Sequence, residues 1–324
     1  MDIIAARLAE ACPAKRQHQG TRAHLEAAGI GSTLVARWVR AGTLVRLRRG
    51  SYALGPLPAR GRHLLSDGSV DLAFLADVRS VLLSLGAGCA ADRRTAAILW
   101  GMDMLVEPKL VEVRVPRSRT RVVMRGVRVR CSPVTEHVDH RVAGLDPVTV
   151  TSAVDTVLDC TLDRPLMEAV IIADSALRRG LVTVEELIAG TEARGHTSGV
   201  NRLRRMLDLV DPECGSVLES MLRFLLVMNG LRPRSQFVVR GRDGKRIGRV
   251  DFCFEEQRLI IECDGRRWHD PDDARARDRE RDNGMARVGW LVLRFTWEDV
   301  LYGRDYVIET LRVALEQARV PEAG

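Results

Sequence analysis

The sequence predicts an α/β chain of α+β multidomain type: an amino-terminal winged helix-turn-helix, a mixed middle region and a carboxy-terminal αβ unit around a central mixed sheet. Three observations predict it. Two short helices and a basic hairpin open the chain, charged alternating strands occupy its middle, and acids interrupt apolar strands near its end. The 324 residues suffice for two or three domains, read as residues 1–60, 61–211 and 212–324.

Thr21 is placed to cap a helix running to Ala28 and ended by Gly29, and Ser32 to cap a second running to Ala41 and ended by Gly42. On the second helix Leu34, Val35, Trp38 and Val39 supply apolar contacts, while Thr33, Arg37 and Arg40 share the opposite face. The hairpin Leu44–Leu54 follows, with a basic edge and a Gly50-Ser51 turn. In a winged helix Arg37 and Arg40 would meet bases or backbone in the major groove, and Arg46, Arg48 and Arg49 would meet phosphates. The same residues also suit a small protein-contact module with a solvated basic face.

In the middle, residues 111–115 and 126–130 alternate apolar and polar positions as half-buried strands do. Their outward positions are largely arginine, and the loop from Pro116 to Arg121 is basic. The pattern fits a track for a nucleic-acid backbone or a solvated sheet face. Residues 165–179 read as an amphipathic helix ended by Gly180, and residues 183–189 as another capped by Thr183 with Glu186 three residues on. Residues 194–199 read as a connector, a short helix covers 201–209, and the last unit begins near Pro212.

In that unit Val250, Phe252 and Phe254 point to one side of a strand and Asp251 and Cys253 to the other. On the next strand Ile260, Glu262 and Asp264 share a face. Ionised carboxylates there need a partner, and converging acids suit a hard divalent cation, Mg²⁺ or Mn²⁺, held through oxygen. The alternative is pairing with Arg249, Arg258 or Arg294. A helix beginning at Asp272-Asp273 carries Asp278 and Arg281 on a face shared with Ala274, Met285 and Val288. Glu219 lies on an apolar helix from Val217 to Leu226, beside its buried side, as a supporting ligand or a surface carboxylate.

The order Glu219, Val250-Asp251-Phe252, Glu262-Cys263-Asp264-Gly265, His269, Asp278-x-x-Arg281, Gly289-Trp290 resembles the nucleases of undefined domain function related to very-short-patch repair endonucleases. Those lie within the PD-(D/E)xK restriction-endonuclease superfamily, and the resemblance covers about the last third of the chain. It implies a restriction-endonuclease-like αβ fold and metal-dependent phosphodiester hydrolysis. Asp251 and Glu262 would ligate the metal, with the backbone carbonyl of Cys263 a further ligand and Glu219 approaching from its helix. Asp264 stands where the superfamily usually has lysine, and the chain's only lysines are Lys15, Lys109 and Lys245. Orienting water or neutralising phosphate then passes to His269, Arg281 or the metal, with His269 the candidate for proton transfer. Trp268 is read as packing.

The first half also resembles the AbiEi-type antitoxin family of abortive-infection systems. The carriers are Leu25-Glu26-Ala27-Ala28-Gly29, Arg48-Arg49-Gly50-Ser51-Tyr52 and Arg94-Thr95-Ala96-Ala97-Ile98-Leu99-Trp100-Gly101. That resemblance implies DNA binding and repression, and leaves a second reading: a non-catalytic regulator carrying an inactive nuclease fold, with a toxin-system partner or a second copy as companion. A formal net charge of +7 favours a polyanion without separating DNA from RNA. Seven scattered cysteines without a CxxC pair, an amino terminus charged too early for a signal peptide, and no apolar run long enough to span a bilayer predict a reduced, cytoplasmic protein.

Overall fold

A computed structural model describes residues 3–55, 70–119, 122–132, 137–142, 144–195, 198–265 and 272–318. The chain opens with α1 (Ile3–Ala11), β1 (Gln19–Thr21), α2 (Arg22–Ala27), α3 (Ser32–Arg40), β2 (Leu44–Arg48) and β3 (Ser51–Leu54). Next come α4 (Leu72–Leu85), β4 (Ala90–Ala91), α5 (Arg93–Leu99), β5 (Val111–Pro116), β6 (Val127–Ser132), β7 (His137–His140), β8 (Val148–Thr151) and α6 (Ala153–Asp163). Four helices follow: α7 (Leu166–Arg178), α8 (Val184–Ala193), α9 (Val200–Leu207) and α10 (Val217–Met228). The chain then forms β9 (Arg234–Arg240), β10 (Arg246–Phe254), β11 (Leu259–Asp264), α11 (Asp272–Arg287), β12 (Leu291–Thr296), α12 (Trp297–Tyr302) and α13 (Arg304–Gln317). Two compact units result, one of Met1–Arg164 with Glu185–Ser198, the other of Pro165–Val184 with Gly199–Gly324.

In the first unit, an antiparallel sheet of order β1-β3-β2 packs with the opening helices. Leu8, Leu25, Ile30, Val35, Trp38 and Leu44 form the core beneath it. Burying one stripe of α3 leaves Thr33, Arg37 and Arg40 exposed, as the 3.6-residue period requires. Thr21 caps α2: its Oγ1 accepts from the His24 backbone N–H at 3.1 Å, and His24 Nδ1 accepts from the Thr21 N–H at 3.1 Å. Ser32, by contrast, is the first residue of α3, and Gly31, which has no capping side chain, is its N-cap. The hairpin turn is Arg49-Gly50, since Arg48 pairs with Ser51 and Gly50 adopts φ +78°. Helix α1 supplies Leu8 and Ala11 to this core.

The same unit holds a five-stranded mixed sheet of order β6-β5-β4-β8-β7. Val111, Val113 and Val115 of β5 pack against Phe74, Leu75 and Val78 of α4 and Ile98 of α5. Each fully buried valine contributes about 1.5–3 kcal/mol of transfer energy. The expectation that the polar positions of β5 face solvent or nucleic acid fails, because both sides of this strand are covered: Glu112 and Arg114 are buried. Arg114 bonds Asp92 at 3.1 Å and also pairs with Asp159, while Arg94 pairs with Glu112 at 2.7 Å. Arg194 donates to Asp155 and Asp159, both at 2.7 Å, and Arg130 pairs with Asp163. Charges taken from water stay ionised only where such partners surround them.

In the second unit the sheet order is β12-β11-β10-β9. β10 runs antiparallel to β9 and β11, whereas β11 and β12 are parallel, a connection that needs the crossover helix α11. Val239, Val250, Cys253, Ile260 and Met285 form a core with Phe237, Ile247 and Trp290 against it. α11 lies close on β10 at two glycines: a Cβ on Gly284 would meet Ile247 Cγ2 at 2.9 Å, and one on Gly248 would meet Arg281 Cδ at 2.9 Å. Asp174 of α7, fully buried, accepts from the Asp211 backbone N–H at 2.7 Å, and Asp211 pairs with Arg223 at 2.9 Å and accepts from Ser235 Oγ at 2.5 Å. This polar chain ties α7 to α10 and β9. No helix among the described residues is long and apolar enough to cross a membrane.

Candidate active site

β10, β11, α10 and α11 enclose a cleft of about 1230 Å³ whose lining includes Glu219, Gln236, Arg249, Asp251, Glu262, Cys263, Asp264, Arg281 and Trp297. Antiparallel pairing sets Phe252 opposite Ile261, which brings Asp251 and Glu262 side by side on the sheet. Asp251 is half-buried, and its Oδ2 accepts from the Cys263 backbone N–H at 2.7 Å. Burial pushes its carboxyl up to about 6, the amide of Cys263 opposes that rise, and the nearby Glu219 adds to it. Glu262, 8% exposed, is pushed up to about 7 by burial first and by Asp251 second, with Arg281 pulling the other way.

The arginines expected to neutralise these acids are largely engaged elsewhere. Arg258 donates to the Val288 carbonyl at 2.8 Å, and Arg294 Nη2 donates to both oxygens of Asp282 at 2.6 Å. Arg249 is exposed on the cleft wall and lowers the Asp251 pKa through its charge. The partner of Glu262 is Arg281, whose Nη2 lies 3.2 Å from Oε1.

Glu219 is not a surface carboxylate. It is 8% exposed, and its Oε2 accepts from the Gly215 N–H at 2.7 Å and from Gln236 Nε2 at 2.8 Å. Gln236 sits in β9 with φ +49°, a conformation uncommon for a residue with a side chain, and nothing in the sequence signals it. Asp264 is exposed at the end of β11, level with Thr296 of β12. The Cys263 carbonyl accepts from the Gly265 N–H at 3.1 Å. His269 and Trp268 lie outside the described residues. Asp282 and Trp297, both on the cleft wall, also escaped the sequence reading.

Among the described residues no three His, Cys, Asp or Glu side chains cluster closely enough to hold a metal ion. The oxygen donors that stand side by side are the carboxylates of Asp251 and Glu262, on adjacent strands. Two hard oxygen donors that repel each other and are raised toward neutrality by burial fit a hard divalent cation.

Of the residues predicted for DNA contact, Arg37, Arg40, Arg46 and Arg49 are exposed in the first unit. Arg48 is held internally: its Nη2 pairs with Asp77 at 2.8 Å and its Nε donates to Ser80 Oγ at 3.1 Å.

Residues 225–315, which carry Asp251, Glu262 and Arg281, match the family model REase_MTES_1575, a restriction-endonuclease-like family. This match supports a nuclease-like domain in the carboxy-terminal region; restriction-endonuclease-like folds act on nucleic acid and are typically dependent on divalent metal. Two Mycobacterium tuberculosis proteins, MT2308 and Rv2248, are each 26% identical to this chain over 291 residues, 87% of this chain and 96% of theirs. A Haemophilus influenzae protein is 33% identical over 75 residues, 23% of this chain and 46% of its own length. The crystal structure of the RV2827C protein from Mycobacterium tuberculosis aligns with a TM-score of 0.40 at 17% identity, over 72% of this chain and 85% of that one.

Proposed function

We propose that the protein is a Mg²⁺- or Mn²⁺-dependent DNA endonuclease that hydrolyses phosphodiester bonds, its first unit supplying a winged-helix DNA-binding surface. The observation that carries this reading is the juxtaposition of Asp251 and Glu262 in an open cleft within the stretch that matches a restriction-endonuclease-like family. Asp251, fixed by the Cys263 amide, and Glu262 would hold the cation, with the Cys263 carbonyl beside them. A bound divalent cation lowers the pKa of water and offsets charge on the phosphate. Gly215 and Gln236 orient Glu219 at the cleft wall. With Asp264 in the lysine position, Arg281 and His269 are left to meet the phosphate and move the proton, and His269 is assigned from the resemblance alone.

Targeting by the first unit is supported by the exposed Arg37 and Arg40 on one face of α3 and by Arg46 and Arg49 around the hairpin. The AbiEi-like motifs agree with that role. The exposed arginines of α3 and the hairpin would equally serve a second reading, a DNA-binding regulator of antitoxin type whose nuclease fold is inactive, and the acid at position 264 does not by itself decide for it. A plasmid-nicking assay with Mg²⁺ and Mn²⁺ separates them. Nicking that Asp251→Ala and Glu262→Ala abolish while DNA binding persists supports the nuclease. Binding without cleavage under either cation refutes it in favour of the regulator.

A further inference from the structure

We propose that Arg281 is a resident counter-ion for Glu262 that gives way to the divalent cation and is thereby released toward the substrate phosphate. The inference rests on the nuclease reading above. Three features of Arg281 carry it. Its Nη2 lies 3.2 Å from Glu262 Oε1, so the guanidinium occupies the carboxylate that a cation would need. Its stem crosses β10 at Gly248, where a Cβ would stand 2.9 Å from Cδ, 3.1 Å from Cγ and 3.1 Å from Met285 Cε. A bare backbone position there holds the stem at the cleft.

The third feature is that Arg281 Nε is buried and has no hydrogen-bond partner among the described residues. Arginine carries five donors in a rigid fork, and a structural ion pair normally uses Nε together with one Nη in a two-pronged bond to a carboxylate. Glu262 takes only the Nη2 side. A buried donor left unmade costs free energy. The Nε of Arg93 and of Arg94 is unmade in the same way, and what distinguishes Arg281 is that its guanidinium lines the open cleft, where a ligand can reach it. A phosphate oxygen answers the fork geometry, since arginine binds phosphate with two parallel N–H bonds.

The exchange predicts a sign opposite to that of a supporting ligand, because Arg281 opposes cation entry by occupying Glu262 and by like-charge repulsion. Calorimetry with Mn²⁺ at pH 8.5, where both carboxyls are ionised, should show Arg281→Met binding about tenfold more tightly than wild type, the worth of one charge-assisted hydrogen bond. Methionine keeps an apolar stem over Gly248, and Arg281→Gln provides a second variant of the same sign. Independently of any variant's folding, saturating Mg²⁺ should move the arginine Nε–H resonance of Arg281 in the ¹⁵N-labelled wild-type protein. Equal or weaker Mn²⁺ binding by folded variants, or an unmoved resonance at saturation, overturns the exchange while the metal site stands. Failure of wild type and both variants to bind any Mn²⁺ overturns the exchange and the metal-dependent reading together.

Discussion

Lowering the pH from 8 to 6 should cost the cleft most of its capacity for a divalent cation. Burial holds Asp251 at about 6 and Glu262 at about 7, so protons compete with the cation across the neutral range. Treated as independent sites with those values, both carboxyls are ionised in roughly 90% of molecules at pH 8 and in roughly 5% at pH 6. On the nuclease reading Mn²⁺ affinity should therefore fall by about 20-fold over that interval, and binding should expel about 1.4 protons at pH 6 against about 0.1 at pH 8. The sign follows from the raised folded values: cation affinity is present above pH 7 and is lost as the pH falls through 7 and then 6. Carboxyls at the ordinary value near 4 would leave affinity almost flat over the same range. Because the two acids repel each other, the observed steps belong to the pair. Titration calorimetry at pH 6, 7 and 8, in buffers of different ionisation enthalpy, reads affinity and proton release together. A flat affinity, or no proton release at pH 6, would refute the geometry from which the shifts arise.

Asp174 gives a stability counterpart. Burial raises it to about 7, so in the folded state it stays protonated where the unfolded chain is already ionised, and its effect on stability is lost progressively as pH rises from about 4 to 7. Asp174→Asn should flatten that part of the urea-midpoint profile by a few kcal/mol, and an unchanged slope would contradict the burial. Arg114→Ala leaves Asp92 and Asp159 facing each other in the core and should cost about 3–5 kcal/mol by thermal denaturation; a loss under 1 kcal/mol would mean the cluster is hydrated. Arg37→Ala with Arg40→Ala should weaken DNA binding across sequences and lower the salt-dependence slope by about 2, with melting unchanged. Arg48→Ala should do the reverse, lowering stability by about 2 kcal/mol through the loss of its bonds to Asp77 and Ser80. Fluorescence anisotropy against salt concentration, paired with calorimetric melts, separates the two classes.

What the sequence disclosed follows the range of the signals involved. The period-2 pattern of β10 and β11 and the period-3.6 pattern of α3 and α10 are local, and those elements form where the pattern set them. Placing Asp251 beside Glu262 needs only the pairing of two neighbouring strands, which the turn between them enforces. Gln236 was invisible because its role comes from a left-handed backbone in β9 and an acceptor on a helix 17 positions away in the chain. The misreading of Glu112 and Arg114 has a tertiary cause. Alternation marks two faces of a strand without saying what covers the second, and here Asp92, Arg94 and Asp159 arrive from α5, α6 and the turn before α5. Arg48 shows the same limit: its basic neighbours stay exposed while α4, distant in sequence, supplies its acid.

The charge balance of the cleft explains why a cation is central to the nuclease reading. Its lining carries the acids Glu219, Asp251, Glu262, Asp264 and Asp282 against Arg249, Arg279, Arg281 and Arg294. Arg294 is spent on Asp282, and Arg281 on Glu262. A phosphate entering this cleft thus meets carboxylates of which Glu262 has its guanidinium partner already engaged and Asp251 has the exposed Arg249 nearby, and Coulomb repulsion in a partly desolvated site is stronger than in water. Lysine at position 264 would relieve that repulsion in the protein alone; aspartate deepens it. On the nuclease reading, Asp251 and Glu262 would hold a divalent cation that offsets this charge, and Glu262 so engaged would leave Arg281 for the phosphate. Substrate binding in the cleft should then depend on the cation as strongly as cleavage does. That dependence sets the cleft apart from the exposed arginines of α3, whose attraction for a polyanion requires no metal.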